Sequence, residues 1–406
     1  PLLAIACSSS TASPSLTINL NHVPARPDAV RESPPEPMSG MSALDYFRAE
    51  KLFAGWNLGN TLDAHINGEG VETGWGNPRA NQALMDGVKA AGFDIIRIPV
   101  TWMGHIGDGP DYRILENRLR RVSQVVEMAN NAGLKVIINL HHDGATSSPS
   151  EDSGWLSINK ARKSREGYYE VTSQFVRVWK QIAEYFKDYG DWLMFESCNE
   201  IHDGNWGHSL FTQMLPQFEI LNEWNQYFTD VVRGTGGNNA ERYLVIPGYC
   251  TSVRHTLADY FKLPNDSAPS KQIVSFHYYD PYEFGIAGTR SRWGTDAEKQ
   301  QTDKDFAPFK ERFIDKNIPV IIGECGAVLQ LYPGNQARED EARESRRGYL
   351  SWVFSTAKKY NLVPIYWDNG GITGGGEKFG LFDRRTGQPA SDEAAVMIST
   401  MINAVK

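Results

Sequence analysis

Two glutamates in this chain of 406 residues stand where chemistry could be done. Glu200 follows Asn199 just past the run Trp192 to Ser197, and Glu324 follows Gly323 at the end of the run Pro319 to Gly323. Such a pair suits a reaction that needs both an acid and a carboxylate. Glycoside hydrolysis is one, because its oxocarbenium-like transition state wants one carboxyl to protonate the leaving oxygen and another to attack or stabilise the cationic carbon. Other apolar runs end in polar groups as well: Arg97-Ile98-Pro99, His141-His142-Asp143, His277-Tyr278-Tyr279 and Trp367-Asp368-Asn369. A lone glutamate at a strand end is more often a cap or an ion-pair residue, and a lone histidine a hydrogen-bonded structural group. Six such ends on one rim are harder to dismiss. A cation such as Arg97 near one glutamate would keep it ionised, while burial among Trp and Tyr would raise the pKa of the other.

The elements that must position these groups are legible as eight apolar runs: Phe53 to Leu58, Asp94 to Pro99, Lys135 to Leu140, Trp192 to Ser197, Arg242 to Pro247, Ile273 to Tyr278, Pro319 to Gly323 and Val363 to Trp367. They lack the alternation of a half-wet sheet, as expected of parallel strands buried on both faces. Helical spacing joins Leu84, Val88 and Ala91 up to Gly92, and Leu115, Leu119, Val122, Val126 and Ala129 up to Gly133. Glycine just past the last periodic residue is a helix stop signal. Further helical segments are Val171 to Phe186, Phe218 to Val232, Phe306 to Ile314, Arg346 to Lys359 and Asp392 to Val405. Eight strand-then-helix units predict an α/β fold, a (β/α)8 TIM barrel forming a single catalytic domain over 44–406; a doubly wound open sheet is the alternative. Gly55-Trp56-Asn57-Leu58-Gly59-Asn60 has the wrong spacing for a dinucleotide loop. Residues two apart on a strand share a face, so His277 pairs with Tyr279 and Ile365 with Trp367; Glu196 sits below Glu200, with Arg97 its expected partner.

Composition narrows the classes. Asp and Glu number 49 against 41 Lys and Arg, a net charge of -8, which argues against a nucleic-acid partner. No run of about 18 apolar residues exists to span a membrane. The four cysteines are too scattered for a disulfide framework or a zinc cluster. Residues 1–43 hold seven of the 21 prolines and read as a leader and Pro/Ser-rich linker. Within it, Leu3-Ala4-Ile5-Ala6-Cys7 followed by three serines resembles the end of a bacterial lipoprotein signal. The expectation is a lipid anchor at Cys7 and an extracellular or cell-surface location.

In order and spacing, Gly55 to Asp63, Arg97-Ile98-Pro99-Val100, Asn139-Leu140-His141-His142, Phe195 to Glu200, His277-Tyr278-Tyr279, Gly323-Glu324 and Trp367 together resemble glycoside hydrolase family 5, the cellulase family of the barrel clan. The opening motif and Tyr366-Trp367-Asp368-Asn369-Gly370 look most like its subfamily 4 of endoglucanases and xyloglucanases. The resemblance covers about residues 46 to 405. It implies a retaining mechanism with Glu200 as acid/base and Glu324 as nucleophile, and substrate-binding roles for Asn60, Arg97, His141, His142, Asn199, His277, Tyr279 and Trp367. Ile201 after Glu200 departs from the commoner Pro. The implied enzyme is a monomeric endo-β-1,4-glucanase acting on β-glucan polysaccharides, xyloglucan among them, with no cofactor and no metal.

The sequence leaves alternatives open: a β-mannanase or other retaining β-glycanase on the same fold, a metal-dependent hydrolase with His141, His142, His277 and a carboxylate as ligands, and a non-catalytic carbohydrate-binding protein. Adjacent strand residues face opposite ways, so His141 and His142 should not reach one ion together. Retention of both glutamates and Arg97 speaks against a mere binding protein. Trp75, Trp102, Trp155, Trp206 and Trp293 fall in predicted rim loops where they could stack on sugars. The loops from Asp143 to about Tyr169 and from Asp280 to about Ala297 are long enough to wall a groove, and the small residues Gly371 to Gly376 could leave space for xylosyl branches.

Overall fold

Short stretches of aliphatic residues with both faces apolar form eight parallel strands: β1 (Gly55–Leu58), β2 (Ile95–Ile98), β3 (Lys135–Asn139), β4 (Leu193–Glu196), β5 (Leu244–Pro247), β6 (Gln272–Tyr278), β7 (Val320–Cys325) and β8 (Leu362–Asp368). Each lies within two residues of its predicted run. The computed structural model describes residues 35–144, 146–148, 151–152, 154–208, 211–373 and 377–406, without side-chain detail at 146–148, 151–152 and 211–215. Each strand pairs with its sequence neighbour, and β1 pairs with both β2 and β8, which closes the barrel.

Alternation along the strands divides the side chains between two cores. Outward residues such as Ile96, Ile138, Phe195, Ile246 and Phe276 pack under the helices. Inward residues near the strand starts form a separate cluster: Ile95, Ile137, Met194, Tyr243, Val245, Ile273, Ile321, Val363 and Ile365. The helix Ala43–Ala49, capped by the Ser42 hydroxyl, adds Tyr46 and Phe47 to that cluster. It plugs the lower mouth of the barrel. Burial of this apolar layer at about 25 cal/mol per Å² makes the lower half the stabilising floor on which the polar layer above can be held.

Two boundaries differ from expectation. Residues 36–42, read as linker, already dock on the barrel: the Glu36 carboxylate accepts from the Gly190 amide at 2.8 Å and from the Trp192 indole, and Met41 accepts from the Tyr243 hydroxyl and the Lys271 ammonium. Proline-rich composition obscured a segment held by hydrogen bonds rather than by periodic apolar contacts. Cys7 and the rest of 1–34 lie outside the described residues. The second difference is the fifth helix. After β5 only one α-helical turn forms, Val253–Thr256, because the chain beyond it carries Pro264, Asn265, Asp266 and Pro269 and no helical period. Long helices follow the other seven strands.

Both expected rim loops are more ordered than a bare loop. The one after β3 contains the helix Ile158–Lys163, and the next helix starts at Arg165 under a Ser164 cap, several residues before the predicted Val171. The loop after β6 contains a short turn of helix at Tyr282–Gly285. Gly374 to Gly376 lie outside the described residues.

Candidate active site

Above the apolar floor the inward positions turn polar, and Arg97 on β2 is their centre. It is fully buried. Its Nε donates to Glu196 Oε2 at 2.7 Å, Nη1 to Glu324 Oε1 at 2.8 Å and to Asn57 Oδ1 at 3.0 Å, and Nη2 to Asn199 Oδ1 at 2.7 Å. Four strands are thus tied to one guanidinium, whose planar fork suits several acceptors at once. Burial works against its charge, but the Glu196 and Glu324 carboxylates outweigh that and hold its pKa above the ordinary guanidinium value. Glu196, the partner expected from strand parity, also accepts from Asn139 Nδ2 at 2.9 Å.

Glu324 reaches this centre through an irregularity. Ile321 faces the barrel interior, so strict alternation would send Gly323 inward and Glu324 out toward the helices. The register between β6 and β7 steps from Phe276 opposite Ile322 to His277 opposite Glu324, leaving Gly323 as the extra residue of a β-bulge. That bulge re-aims Glu324 into the cleft. A Cβ on residue 323 would sit 2.6 Å from Ser275 Oγ and 3.0 Å from His277 Nε2, so only glycine fits without displacement.

Each oxygen of Glu324 holds a donor. Oε1 receives Arg97, and Oε2 receives the Tyr279 hydroxyl at 2.9 Å. Burial and the neighbouring Glu324 charge push the Tyr279 phenol well up, so it remains a donor. Burial also raises Glu324 above the usual carboxylate range, while His277, Arg97 and the Tyr279 hydrogen bond pull it back. Glu200 has less support. Its Oε1 lies 2.7 Å from His277 Nδ1, and burial pushes its pKa to about 7 against the opposing Arg97 charge. His277 itself is pushed down to about 4 by burial, so its ring is neutral at ordinary pH.

A carboxylate oxygen of Glu200 and one of Glu324 lie within 4.8 Å of each other, together with a ring nitrogen of His277. Retaining glycosidases hold their two carboxyl groups about 5–5.5 Å apart, and inverting ones about 6.5–9.5 Å to admit a water. The pair faces a cleft of about 610 Å³ lined by, among others, His141, His142, Asn199, Trp206, Tyr279 and Trp367. His141 stacks on Trp367, ring centroids 5.8 Å apart and planes 5° from parallel. A family model, Cellulase (glycosyl hydrolase family 5), matches residues 60–372, the stretch that carries all of this geometry except Asn57.

The chain belongs to glycosyl hydrolase family 5. It is 38% identical to Endoglucanase A of Paenibacillus barcinonensis over 82% of this chain and 84% of that one. It is 37% identical to a xyloglucan-specific endo-beta-1,4-glucanase of Bacteroides ovatus, over 88% of this chain and 71% of that one. Among solved structures, a GH5-4 broad specificity endoglucanase from Bacteroides salanitronis superposes with a TM-score of 0.82 at 41% identity, covering 92% of this chain and 98% of that chain. The chain is therefore a glycoside hydrolase of a retaining family.

Within this family 5 site the expected residues divide. Arg97, His141, His142, Asn199, Glu200, His277, Tyr279, Glu324 and Trp367 meet at one end of the barrel. Asn60 does not line the cleft: it sits at φ +52° in a turn where its amide donates to Asp63 Oδ2 and its carbonyl accepts from Asn77. Asn57, three residues earlier in the same motif and within β1, takes the place beside Arg97, which parity with Gly55 and the interior could have indicated. His141 and His142 come together rather than apart, with ring centroids 4.5 Å apart, because His142 lies past the strand end in a turn where alternation no longer holds. With Asp63 they form a second group of possible cation ligands within 4.8 Å, but Asp63 already accepts from the amides of Asn60 and Thr61. Of the tryptophans, Trp102 and Trp293 are buried in the core, and Trp155 is turned to Asp143 by a 2.7 Å hydrogen bond. Trp206 and Trp75 are exposed, and Trp206 lines the cleft. Glu377 and Phe379, also in the lining, follow β8 in a loop without periodicity, so nothing in the sequence signalled them.

Proposed function

We propose that this family 5 enzyme is an extracellular endo-β-1,4-glucanase acting on soluble plant cell-wall glucans, with xyloglucan as its branched substrate. The observation that carries the chemistry is the close approach of Glu200 and Glu324 in an open cleft. Glu324, with a donor on each oxygen, attacks the anomeric carbon. As the glycosidic bond breaks, Glu200 gives its proton to the departing sugar oxygen, and a covalent glycosyl-enzyme remains. Glu200, now a carboxylate, removes a proton from the water that attacks the same carbon, and Glu324 leaves. Asn57 and Glu196 fix Arg97, Arg97 fixes Glu324, and Trp367 backed by His141 offers a flat face to the sugar held by the nucleophile. The substrate reading is supported by relatives named for endoglucanase and xyloglucanase activity.

Proton NMR of the first product from a soluble β-glucan should show the β anomer. Viscosity of xyloglucan or carboxymethylcellulose should fall much faster than reducing ends accumulate. An α product would remove the retaining assignment, glucose or cellobiose released at constant viscosity would remove endo action, and turnover of mannan alone would replace the substrate. Anchoring through Cys7 rests on the leader resemblance. Labelled fatty acid incorporated by the full chain, and lost in Cys7→Ser, tests it; a soluble unlabelled product ends it.

A further inference from the structure

Six residues beyond Glu200, Trp206 is held in a conformation that bulky side chains rarely adopt, φ +49°, with 49% of its surface exposed. Among the described residues its ring belongs to no apolar cluster. It lies face to face on His202, centroids 3.8 Å apart and planes 21° from parallel, and His202 is buried. The histidine is fixed from beneath: its Nδ1 accepts from the Gly204 amide at 3.0 Å. Beside it Asp203 accepts from the Asn205 amide at 3.0 Å and from Gln217 at 3.1 Å, which ties the loop to the helix Phe211–Gly234. The following Gly207 packs so closely on His255 that a Cβ there would lie 2.2 Å from the ring nitrogen. The loop is therefore built to hold one exposed indole in one place. Burial pushes His202 down to about 4, so the ring beneath the indole is neutral over the working range.

The place is informative. In the barrel β4 and β8 are four strands apart, on opposite sides, and Trp206 and Trp367 follow or end those two strands. Both line the same cleft as Glu200 and Glu324. Glu200 protonates the leaving oxygen, so a chain lying across the cleft with one ring on Trp367 carries its departing sugars toward the loop that follows Glu200. We propose that His202 is a positioning residue that holds Trp206 as the stacking platform for the first sugars on the leaving-group side. The inference rests on the proposed glucanase reading and adds to it the residue that sets leaving-group recognition.

The test compares two substrates that share the glycone. Cellopentaose has sugars on the leaving side; β-cellobiosyl fluoride has a leaving group with no ring to stack. The measured quantity is the ratio of kcat/KM for cellopentaose to that for the fluoride. Trp206→Ala, at an exposed site, should lower it at least fivefold. His202→Asn keeps an acceptor for the Gly204 amide but removes the ring, and should lower the ratio nearly as far. His202→Phe keeps the ring and loses the acceptor, and should stay close to wild type. Unchanged ratios in Trp206→Ala overturn the platform. A wild-type-like ratio in His202→Asn with a low one in His202→Phe overturns the stacking role and leaves His202 a loop residue only. Wild-type failure on cellopentaose, with the fluoride still turned over, removes the glucanase reading and this inference together; variants that fail alone remove only the inference.

Discussion

Arg97 Nη1 and Glu324 Oε1 are 2.8 Å apart, with the arginine side chain fully buried and the glutamate side chain 6% exposed. The same guanidinium neutralises Glu196, equally buried, so one cation serves two carboxylates. Removing it would strand both. Arg97→Met should cost about 3–5 kcal/mol of stability, the range for breaking a buried ion pair from one side, and should abolish turnover. Urea unfolding checks the first part. Adding Glu196→Gln to that variant should restore part of the stability without restoring activity, because the second change removes a stranded charge but leaves Glu324 without its cation. Stability equal to wild type in Arg97→Met would show that the charges are solvated in some other way.

The bulge at Gly323 supports a second expectation. Gly323→Ala places a methyl group against Ser275 Oγ and His277 Nε2, and relief by straightening the strand would turn Glu324 away from the cleft. A displacement of about 1 Å at the nucleophile is enough to cost roughly 10²-fold in rate. The expected result is a large fall in kcat with little change in KM. Ser275→Ala in the same background removes the closest contact and should recover part of the rate. Full activity in the single variant would mean that the bulge does not set the aim of Glu324.

The two glutamates should fail differently. Glu324→Ala should lose turnover of every substrate, and with azide and an activated aryl glycoside it should form the α-glycosyl azide, since azide enters from the face that the nucleophile has vacated. Glu200→Ala should lose about 10²–10⁴-fold on glucans that need an acid but still release good leaving groups. Product stereochemistry by NMR separates the two, and the reverse pattern would exchange their roles.

Much of this arrangement is legible from residue order, and what is not has local causes. The strands were readable because burial on both faces leaves continuous apolar runs, and a barrel puts their C-terminal ends on one rim. Parity correctly joined Glu196 to Arg97 and His277 to Tyr279, all of them within or next to regular strand. It failed at His142, which lies one residue into a turn; Glu324, read as a strand-end residue without parity, is brought into the cleft by a bulge that no period reveals. Treating the opening motif as a unit points to Asn60 and does not single out Asn57. The motif supplies both a strand residue that touches Arg97 and a turn residue that shapes the loop. Exposure of Trp206 and burial of Trp102 were equally hidden, because a tryptophan in a loop carries no mark of which way the loop folds.

The pH response follows from the unequal support of the two carboxyls. Glu200 must carry a proton to act as acid, and its pKa of about 7 sets the alkaline limb of kcat/KM, which should fall by about one decade per pH unit above that value. Glu324 must be ionised, so activity is also lost on the acid side as it gains a proton. The same shift bears on stability with a definite sign. In the unfolded chain Glu200 ionises near 4.5, but in the folded protein only near 7. The folded state therefore binds more protons than the unfolded one between these values, and stability falls as pH rises through that window. The difference corresponds to at most about 3 kcal/mol, less because 21% of the side chain is exposed. Glu200→Gln has no charge to bury and keeps a group that can bond to His277. It should match wild type at pH 4.5 and be more stable by about 1–3 kcal/mol at pH 8, while losing glucan hydrolysis. Thermal and urea unfolding of both proteins at the two pH values decide this, and equal stability at pH 8 would mean that Glu200 ionises in the fold as freely as in water.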